Sequence, residues 1–451
     1  MKKSVVFFYV DFADPMYRLM VEMMAASVHM VLPDHDVVML TDDGAIGLTG
    51  VDYIVKANTR FDKNNLMPAR MRMIDAYIQS KKEEEIIFTD ADILFFTGIN
   101  FFQSEFDVAL TWRGDFPSMP FNTGVMATRT TKEALNFWRL ASEACQTLPA
   151  QVHGWYGDQI SVAMTVGLND FYSRTGDTIL SGNAVVKLFP CEKYNYSPNI
   201  YGVYDADILH FKGERKKLMV KFFSSLCHKY LGIKGGFFQP NSKSIELLLL
   251  QRTDYKNIEG EGNDSKETLI SAKLTIDLYN EYRRVSPYLP VESHRILDIG
   301  CGLGGINYFF YNHYNAQSPD MYLLDKDEVS ESIYFGFEET AAAYNNLLSS
   351  RQLLEDAGVP GEKIHVIDIN KDKFPKQVKY DLIFSSLSWG FHYPISTYIS
   401  EVVESLSNDG VLIIDVRKNT DGLKLIKTNF SNVKIIIDSE KYQKICASNS
   451  I

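Results

Sequence analysis

The sequence predicts an α/β fold in two tandem domains. Three observations carry that expectation. Short apolar runs alternate with stretches of helical period through the first ~230 residues, a Gly-, Ser- and Asn-rich seam follows, and a second strand–helix series begins near residue 266. At 451 residues the chain is also too long for one ordinary core. No internal repeat relates the halves, so they read as two different domains.

The first domain, 1–230, opens on SVVFFYV, a buried strand, followed by MYRLMVEMMAASVHM with apolar residues at helical spacing. DVVML and YIV read as strands, ARMRMIDAYIQS as a helix and EIIFTDADILFF as a strand. The alternation implies a largely parallel sheet, whose ligands sit beyond the carboxyl ends of the strands. Residues 231–265 read as a linker: GIKGGFFQPNSKS and NIEGEGNDSKE flank a short apolar helix, IELLLLQ. The second domain, 266–451, reads as a helix through LTIDLYNEYRRV and then strands RILDIG, MYLLD, KIHVIDI, YDLIFSS and GVLIIDV.

Composition narrows the function classes. With 45% apolar and 23% charged residues the chain is a folded globular type. A net charge of −11 argues against nucleic acid as a partner. The five cysteines are scattered without CxxC or Cys/His spacing, which fits a reducing cytoplasm rather than a disulfide framework or structural zinc. The first residues, MKKSVVFFYVDFADP, are interrupted by Asp11 and Asp14 and read as a strand, not a signal peptide. No apolar run reaches the ~18 residues of a membrane span.

The stretch IIFTDADILFF sets Asp90 and Asp92 against apolar residues on both sides. An ionised carboxylate in such surroundings is costly unless offset. The pair is therefore either a solvated loop or a strand-end clamp for a divalent cation that also meets phosphates. Downstream, PFNTGVMATRT puts Asn122 at the opening of a strand, and GWYGDQISV puts Asp158 and Gln159 at a helix start. DILHFKGERKK then offers His210, Lys212 and Gly213 with further cations behind. On its own, His210 reads more often as a satisfied core histidine than as a ligand.

The order TDADILFF, FNTGV, GDQ, HFKG resembles retaining glycosyltransferases of the GT-A fold over about residues 4–220. The likeness is to the glycogenin-like and bacterial galactosyltransferase group and related nucleotide-diphospho-sugar transferases. The resemblance implies that Asp90, Asp92 and His210 bind Mn²⁺ or Mg²⁺, and that Arg70 or Arg72 supports the diphosphate of a nucleotide sugar, most readily a UDP-sugar. It further implies that Asn122 and Asp158 bind sugar hydroxyls, that Gln159 lies near the anomeric carbon, and that Lys212 and Gly213 meet the leaving diphosphate. Retention of configuration rests on the resemblance alone. The chain departs from the family after the histidine, where GERKKLM stands in place of a Lys-Pro-Trp ending.

RILDIGCGLGGINYFF runs a strand into a Gly-rich turn and a helix, with Gly300, Gly302 and Gly304 allowing close backbone approach. The acid before the first glycine and the acid ending MYLLD resemble class I S-adenosylmethionine-dependent methyltransferases, of a sugar O-methyltransferase texture, over roughly 265–435. The resemblance implies that Asp298, Gly300 and Gly302 line the methionine end of the cofactor, that Asp325 accepts from the ribose, and that Asp368 lies near the adenine. The long insert YFGFEETAAAYNNLLSSRQLLEDAG is expected to be helical, as a lid or substrate wall. In LSWGFHYPISTY, Trp389 and Tyr393 either stack on a sugar ring or simply pack the loop, and His392 is the candidate general base.

The basic stretch 212–238 admits two readings, a helix closing the first domain or a peripheral contact with the inner face of an anionic membrane. The combined expectation is a bifunctional enzyme of surface-polysaccharide or glycolipid assembly. One domain would transfer a sugar to a glycan or lipid-linked glycan acceptor, and the other would O-methylate a sugar. The alternatives are that one domain is a silent binding or scaffolding module, or that a protein or nucleic acid is modified.

Overall fold

The computed structural model describes all residues except 1, 83, 100, 115–118, 200–204, 261–263, 330–335, 338–344, 450 and 451. Two compact units divide the chain, the first holding Met1–Leu231 and the second Gly232–Gly260 with Ser265–Ile451. Both are α/β, each built on its own sheet.

The first unit contains β1 (Lys2–Phe8), β2 (Asp36–Thr41), β3 (Tyr53–Lys56), β4 (Glu84–Thr89), β5 (Ile93–Phe95), β6 (Val108–Trp112), β7 (Phe121–Arg129), β8 (Thr178–Ser181), β9 (Ala184–Pro190) and β10 (Ile208–His210). Eight of them form a sheet in the order β3-β2-β1-β4-β7-β6-β9-β8, and β10 pairs β5 antiparallel. Strands β1 to β4 are mutually parallel, whereas β7 runs antiparallel to both β4 and β6. The expected largely parallel sheet is thus mixed. The cause is connection length: the short segment 113–120 joins β6 to β7 and cannot hold the crossover that parallel neighbours need.

The helices α1 (Pro15–Val31), α2 (Leu66–Gln79), α3 (Lys132–Thr147) and α4 (Gly157–Val166) lie on this sheet. Asp14 caps α1, its carboxylate accepting from the Met16 and Tyr17 amides. Ile86, Phe88, Met126, Phe137 and Trp138 belong to one buried cluster that joins the sheet to α2, α3 and α4. The apolar residues of IIFTDADILFF do not make one strand. β4 ends at Thr89, Asp90 to Asp92 form the break, and β5 resumes at Ile93.

The basic stretch forms a 3-10 turn, Gly213–Leu218, and the helix Met219–Leu231. That helix buries Met219, Val220, Phe223, Leu226 and Cys227. No described helix is long and apolar enough to cross a membrane.

The second unit contains β11 (Arg295–Ile299), β12 (Asp320–Asp325), β13 (Ile364–Asp368), β14 (Tyr380–Ser385), β15 (Leu406–Arg417), β16 (Asn432–Asp438) and β17 (Tyr442–Ser448), in the order β13-β12-β11-β14-β15-β17-β16. The first five are parallel and follow a doubly wound order, with its reversal between β11 and β14. The closing hairpin inserts β17 antiparallel against β15. The stretch 232–260, read from sequence as a linker, belongs to this unit. The Phe238 amide donates to Thr275 Oγ1 at 3.1 Å, and Asn241 Nδ2 donates to Ser349 Oγ at 3.2 Å. Of the long insert, 345–358 is described and supplies the helix Leu347–Ala357, while the expected lid over 334–344 falls mostly outside the described residues.

Candidate functional site

In the first unit the break after β4 and the end of β10 bring Asp90, Asp92 and His210 together, with one ligand atom from each within 4.8 Å of the others. β10 pairs β5 so that His210 stands opposite Ile93, one residue beyond Asp92. The Phe211 amide donates to the Asp92 carbonyl at 2.8 Å and locks that register. His210 Nε2 lies 3.1 Å from Asp92 Oδ1 and 3.5 Å from Asp90 Oδ2. Its other ring nitrogen, Nδ1, is 2.7 Å from Asn195 Oδ1. The Asn195 amide nitrogen donates to Thr111 Oγ1 and to the Asn122 carbonyl, so its oxygen must face the ring. Nδ1 therefore carries a hydrogen, and Nε2 is the ring nitrogen turned to the two carboxylates. Nε2 is thus the nitrogen a metal ion would take, and the partner behind the ring is of a kind that metal-binding histidines typically have.

Gly124 completes the pocket by having no side chain. A Cβ there would stand 2.4 Å from His210 Cε1 and 3.1 Å from Asp90 Oδ2. Two carboxylate oxygens and an imidazole suit Mn²⁺ or Mg²⁺, and the nitrogen favours Mn²⁺.

Arg70, on α2, ties the cluster to the helix start at Asp158. Its guanidinium is 2.9 Å from Asp90 Oδ1 and 2.5 Å from Asp158 Oδ2, and it donates to the Thr123 carbonyl at 2.9 Å. Burial works against its charge, but Asp90 and Asp158 outweigh it and hold the pKa above the ordinary value. Burial likewise opposes the charge of Asp92, yet His210 and Lys216 win and its pKa is lowered.

The expected residues divide. Arg70 is in the cluster, whereas Arg72 is not: one turn position further round, it is exposed and donates to Gln146 on α3. Asn122 is buried, its side-chain oxygen accepting from the Gly124 amide at 3.2 Å. Asp158 joins Arg70 and Thr123, and Gln159 Oε1 accepts from Arg113 at 3.1 Å. Lys212 lies near enough for Asp90 and Asp92 to pull on its charge, but burial dominates and lowers its pKa. Gly213 turns the chain at φ 55°. The lysine that reaches the acid pair is Lys216, 3.6 Å from Asp92 Oδ2 and 4.3 Å over the Tyr17 ring. Sequence reading missed Asn195, Arg113 and Lys216. Lys216 was legible as a cation one turn past His210, but nothing local marked the other two.

In the second unit the Gly-rich turn follows β11, and Gly300, Gly302 and Gly304 all have positive φ. A Cβ on Gly302 would meet no atom of the described residues within 4 Å, whereas one on Gly300 would strike Ser388 Oγ at 1.8 Å. Asp325 Oδ2 accepts from the Gly302 amide at 2.9 Å and from Asn345 Nδ2 at 3.0 Å, which ties the end of β12 to the turn. Burial raises the pKa of Asp325, and it pushes that of Asp298 up to about 7. Asp298 Oδ2 accepts from Asn307 at 2.7 Å. Asp368 stands opposite Asp325 in the sheet, and Lys371, 2.8 Å away, lowers its pKa.

Trp389 does not face a ligand. It is wholly buried in the core and its indole N–H donates to the Ile395 carbonyl at 3.2 Å, so of the two expectations for it, loop packing holds. Tyr393 is half-buried, its hydroxyl toward Gly300. His392 Nδ1 is 3.1 Å from the Gly336 carbonyl. Since a carbonyl only accepts, Nδ1 carries the hydrogen and Nε2 is left basic, and burial lowers the ring's pKa.

Fold and site together define an α/β chain of two sheet-based units, the first with an Asp-Asp-His cluster able to hold a metal ion. No family model and no curated protein matches the chain. One solved structure to which it is similar is a glycosyltransferase involved in the glycosylation of the major capsid of PBCV-1. That likeness has a TM-score of 0.33 and 14% identity, over 48% of this chain and 98% of that chain. A likeness at that level settles no activity.

Proposed function

We propose that the first unit transfers a sugar from a nucleotide diphospho-sugar to a glycan or lipid-linked glycan acceptor. The observation that carries this reading is the Asp90–Asp92–His210 cluster, with Nε2 of the imidazole turned to the acid pair and Lys216 beside it. A divalent ion held there supplies counter-charge to a departing diphosphate. The chain's own groups do the rest. Lys216 and Lys212 add positive charge on the same side as the leaving phosphates, and Arg70 holds Asp90 and Asp158 in place. Arg113 occupies the oxygen of Gln159, so the amide offers N–H donors to the sugar.

The second unit, in this reading, O-methylates a sugar with S-adenosylmethionine. Its support is the doubly wound strand order and the Gly-rich turn at Gly302 beside Asp325. Nε2 of His392 serves as the base toward an acceptor hydroxyl.

Thermal shifts of the full chain test both halves. UDP with Mn²⁺ should raise the melting temperature, and S-adenosylhomocysteine should raise it independently, by mass action. Asp92→Asn should remove the first shift and leave the second. If UDP with Mn²⁺ stabilises that variant as well as the wild type, the metal site is elsewhere; silence from either ligand removes that half of the reading.

A further inference from the structure

Trp155 and Tyr156 precede Gly157, Asp158 and Gln159 directly, yet they are 66% and 48% exposed. Two large aromatics side by side in water are uncommon unless something covers them. Their loop is not loose. The Met67 amide, in the first turn of α2, donates to the His153 carbonyl at 2.8 Å, and His153 Nε2 donates to the Leu148 carbonyl at 2.8 Å. The Trp155 amide donates to the Val152 carbonyl at 3.3 Å. Gly157 fits only without a side chain, since a Cβ would sit 2.9 Å from the Val152 carbonyl and 3.2 Å from Met67 Cβ. Tyr156 is held at φ 68°, a left-handed conformation that strains a tyrosine backbone. Strain of this kind persists where the surroundings impose it, commonly beside functional sites.

The two rings meet edge to face, centroids 5.9 Å apart at 90°, so one ring presents its face while the other abuts its edge. Gly154 packs on the backbone of Lys63 and Asn64, and the Lys63 ammonium lies 4.4 Å over the ring of Phe12, which is itself 42% exposed. The exposed aromatics therefore border the carboxyl end of the strands, the same end as Asp90, Asp92 and Asp158.

We propose that Trp155 and Tyr156 form a rigid platform that binds the acceptor, a pyranose ring whose C–H face lies on the indole. This rests on the glycosyl-transfer reading of the Asp158 side of the site. A flat apolar face with polar edges matches a saccharide, whose axial hydrogens pack on an aromatic while its hydroxyls stay in water. The platform fixes which ring of the acceptor lies next to the reacting sugar, so it sets acceptor choice and leaves donor binding alone.

The test uses the full chain with UDP and Mn²⁺ present and a panel of methyl glucosides, methyl galactosides, N-acetylglucosamine and lactose, titrated calorimetrically and by tryptophan emission. Trp138 and Trp389 are buried and Trp112 is half-buried, so emission changes report chiefly on Trp155. At least one saccharide should bind. Its affinity should fall roughly tenfold in Trp155→Ala and much less in Trp155→Phe, which keeps an aromatic face. The thermal shift from UDP with Mn²⁺ should be the same in all three proteins. The proposal is overturned if no saccharide of the panel binds the wild type, or if Trp155→Ala binds it as tightly. A missing UDP–Mn²⁺ shift in the wild type would instead remove the glycosyl-transfer reading, and saccharide binding would still judge the platform.

Discussion

Gly124 has no side chain because the ring of His210 occupies the place where one would be. Gly124→Ala should therefore push the imidazole away from Asp90 and Asp92, and cost metal affinity while the sheet survives. Titration with Mn²⁺, followed by electron paramagnetic resonance, reads that loss directly. Asn195→Ala should weaken Mn²⁺ binding roughly 10- to 100-fold, because the ring then loses the partner behind it. Unchanged affinity in that variant would mean that Nε2 is not the ligating atom. Asp298 carries a different residue-scale signature. Burial raises its folded pKa to about 7 from an ordinary 3.8, so the folded state holds the proton more tightly than the unfolded chain. That contribution to stability is complete below about 3.8 and is lost as pH rises through about 7. Wild type should lose roughly 1–4 kcal/mol relative to Asp298→Asn across that window, seen as converging or crossing melting curves in a pH series. A constant difference between the two proteins would show that Asp298 does not titrate there.

Among the elements, the closing hairpin of the second unit is held by a charge buried in the sheet. Lys444, on β17, is fully buried, 2.7 Å from Asp415 on β15 and 2.7 Å from Glu281 on the helix Lys266–Val285. The two carboxylates keep its pKa above the ordinary value although burial opposes the charge. Asp415 also accepts from the Leu387 amide and Ser386 Oγ, each at 3.0 Å, and so anchors the loop that ends at Tyr393. Lys444→Met would leave Asp415 buried without its cation, with an expected loss of about 3–5 kcal/mol in urea unfolding. Lys444→Met with Asp415→Leu should recover much of it, because the cost lies in the unpaired acid. Sequence reading treated GVLIIDV as a plain apolar strand, since the acid's partners stand 29 positions later on β17 and far earlier on a helix. The strand-and-helix alternation itself was plain in the sequence, because period and propensity are local. The antiparallel setting of β7 was not, being a consequence of connection length and pairing.

For the whole molecule, two units with separate sheets predict two unfolding steps. Calorimetry of the full chain should resolve them, with UDP and Mn²⁺ raising one transition and S-adenosylhomocysteine the other. A single transition that both ligands move together would mean that the units unfold as one. The boundary shows how far the sequence reaches. The composition shift near residue 232 marked the seam, but 232–260 packs with the second unit, because hydrogen bonds such as Phe238 to Thr275 outweigh its loop-like texture. By itself the sequence determined the α/β class and two domains, since strand ends, helix starts and turn glycines are written locally, while the order of its motifs, through a family resemblance, put Asp90, Asp92 and His210 forward as one set of candidates. Only the tertiary structure decided that Arg70 and not Arg72 joins that set, that Lys216 is the lysine beside Asp92, and that Trp389 is core. It also placed Asn195 behind His210, some 15 residues from it in the chain. The physical reason is the same in each case: a side chain's role follows from which distant group it meets and whether water is excluded there, and neither is encoded in its neighbours along the chain.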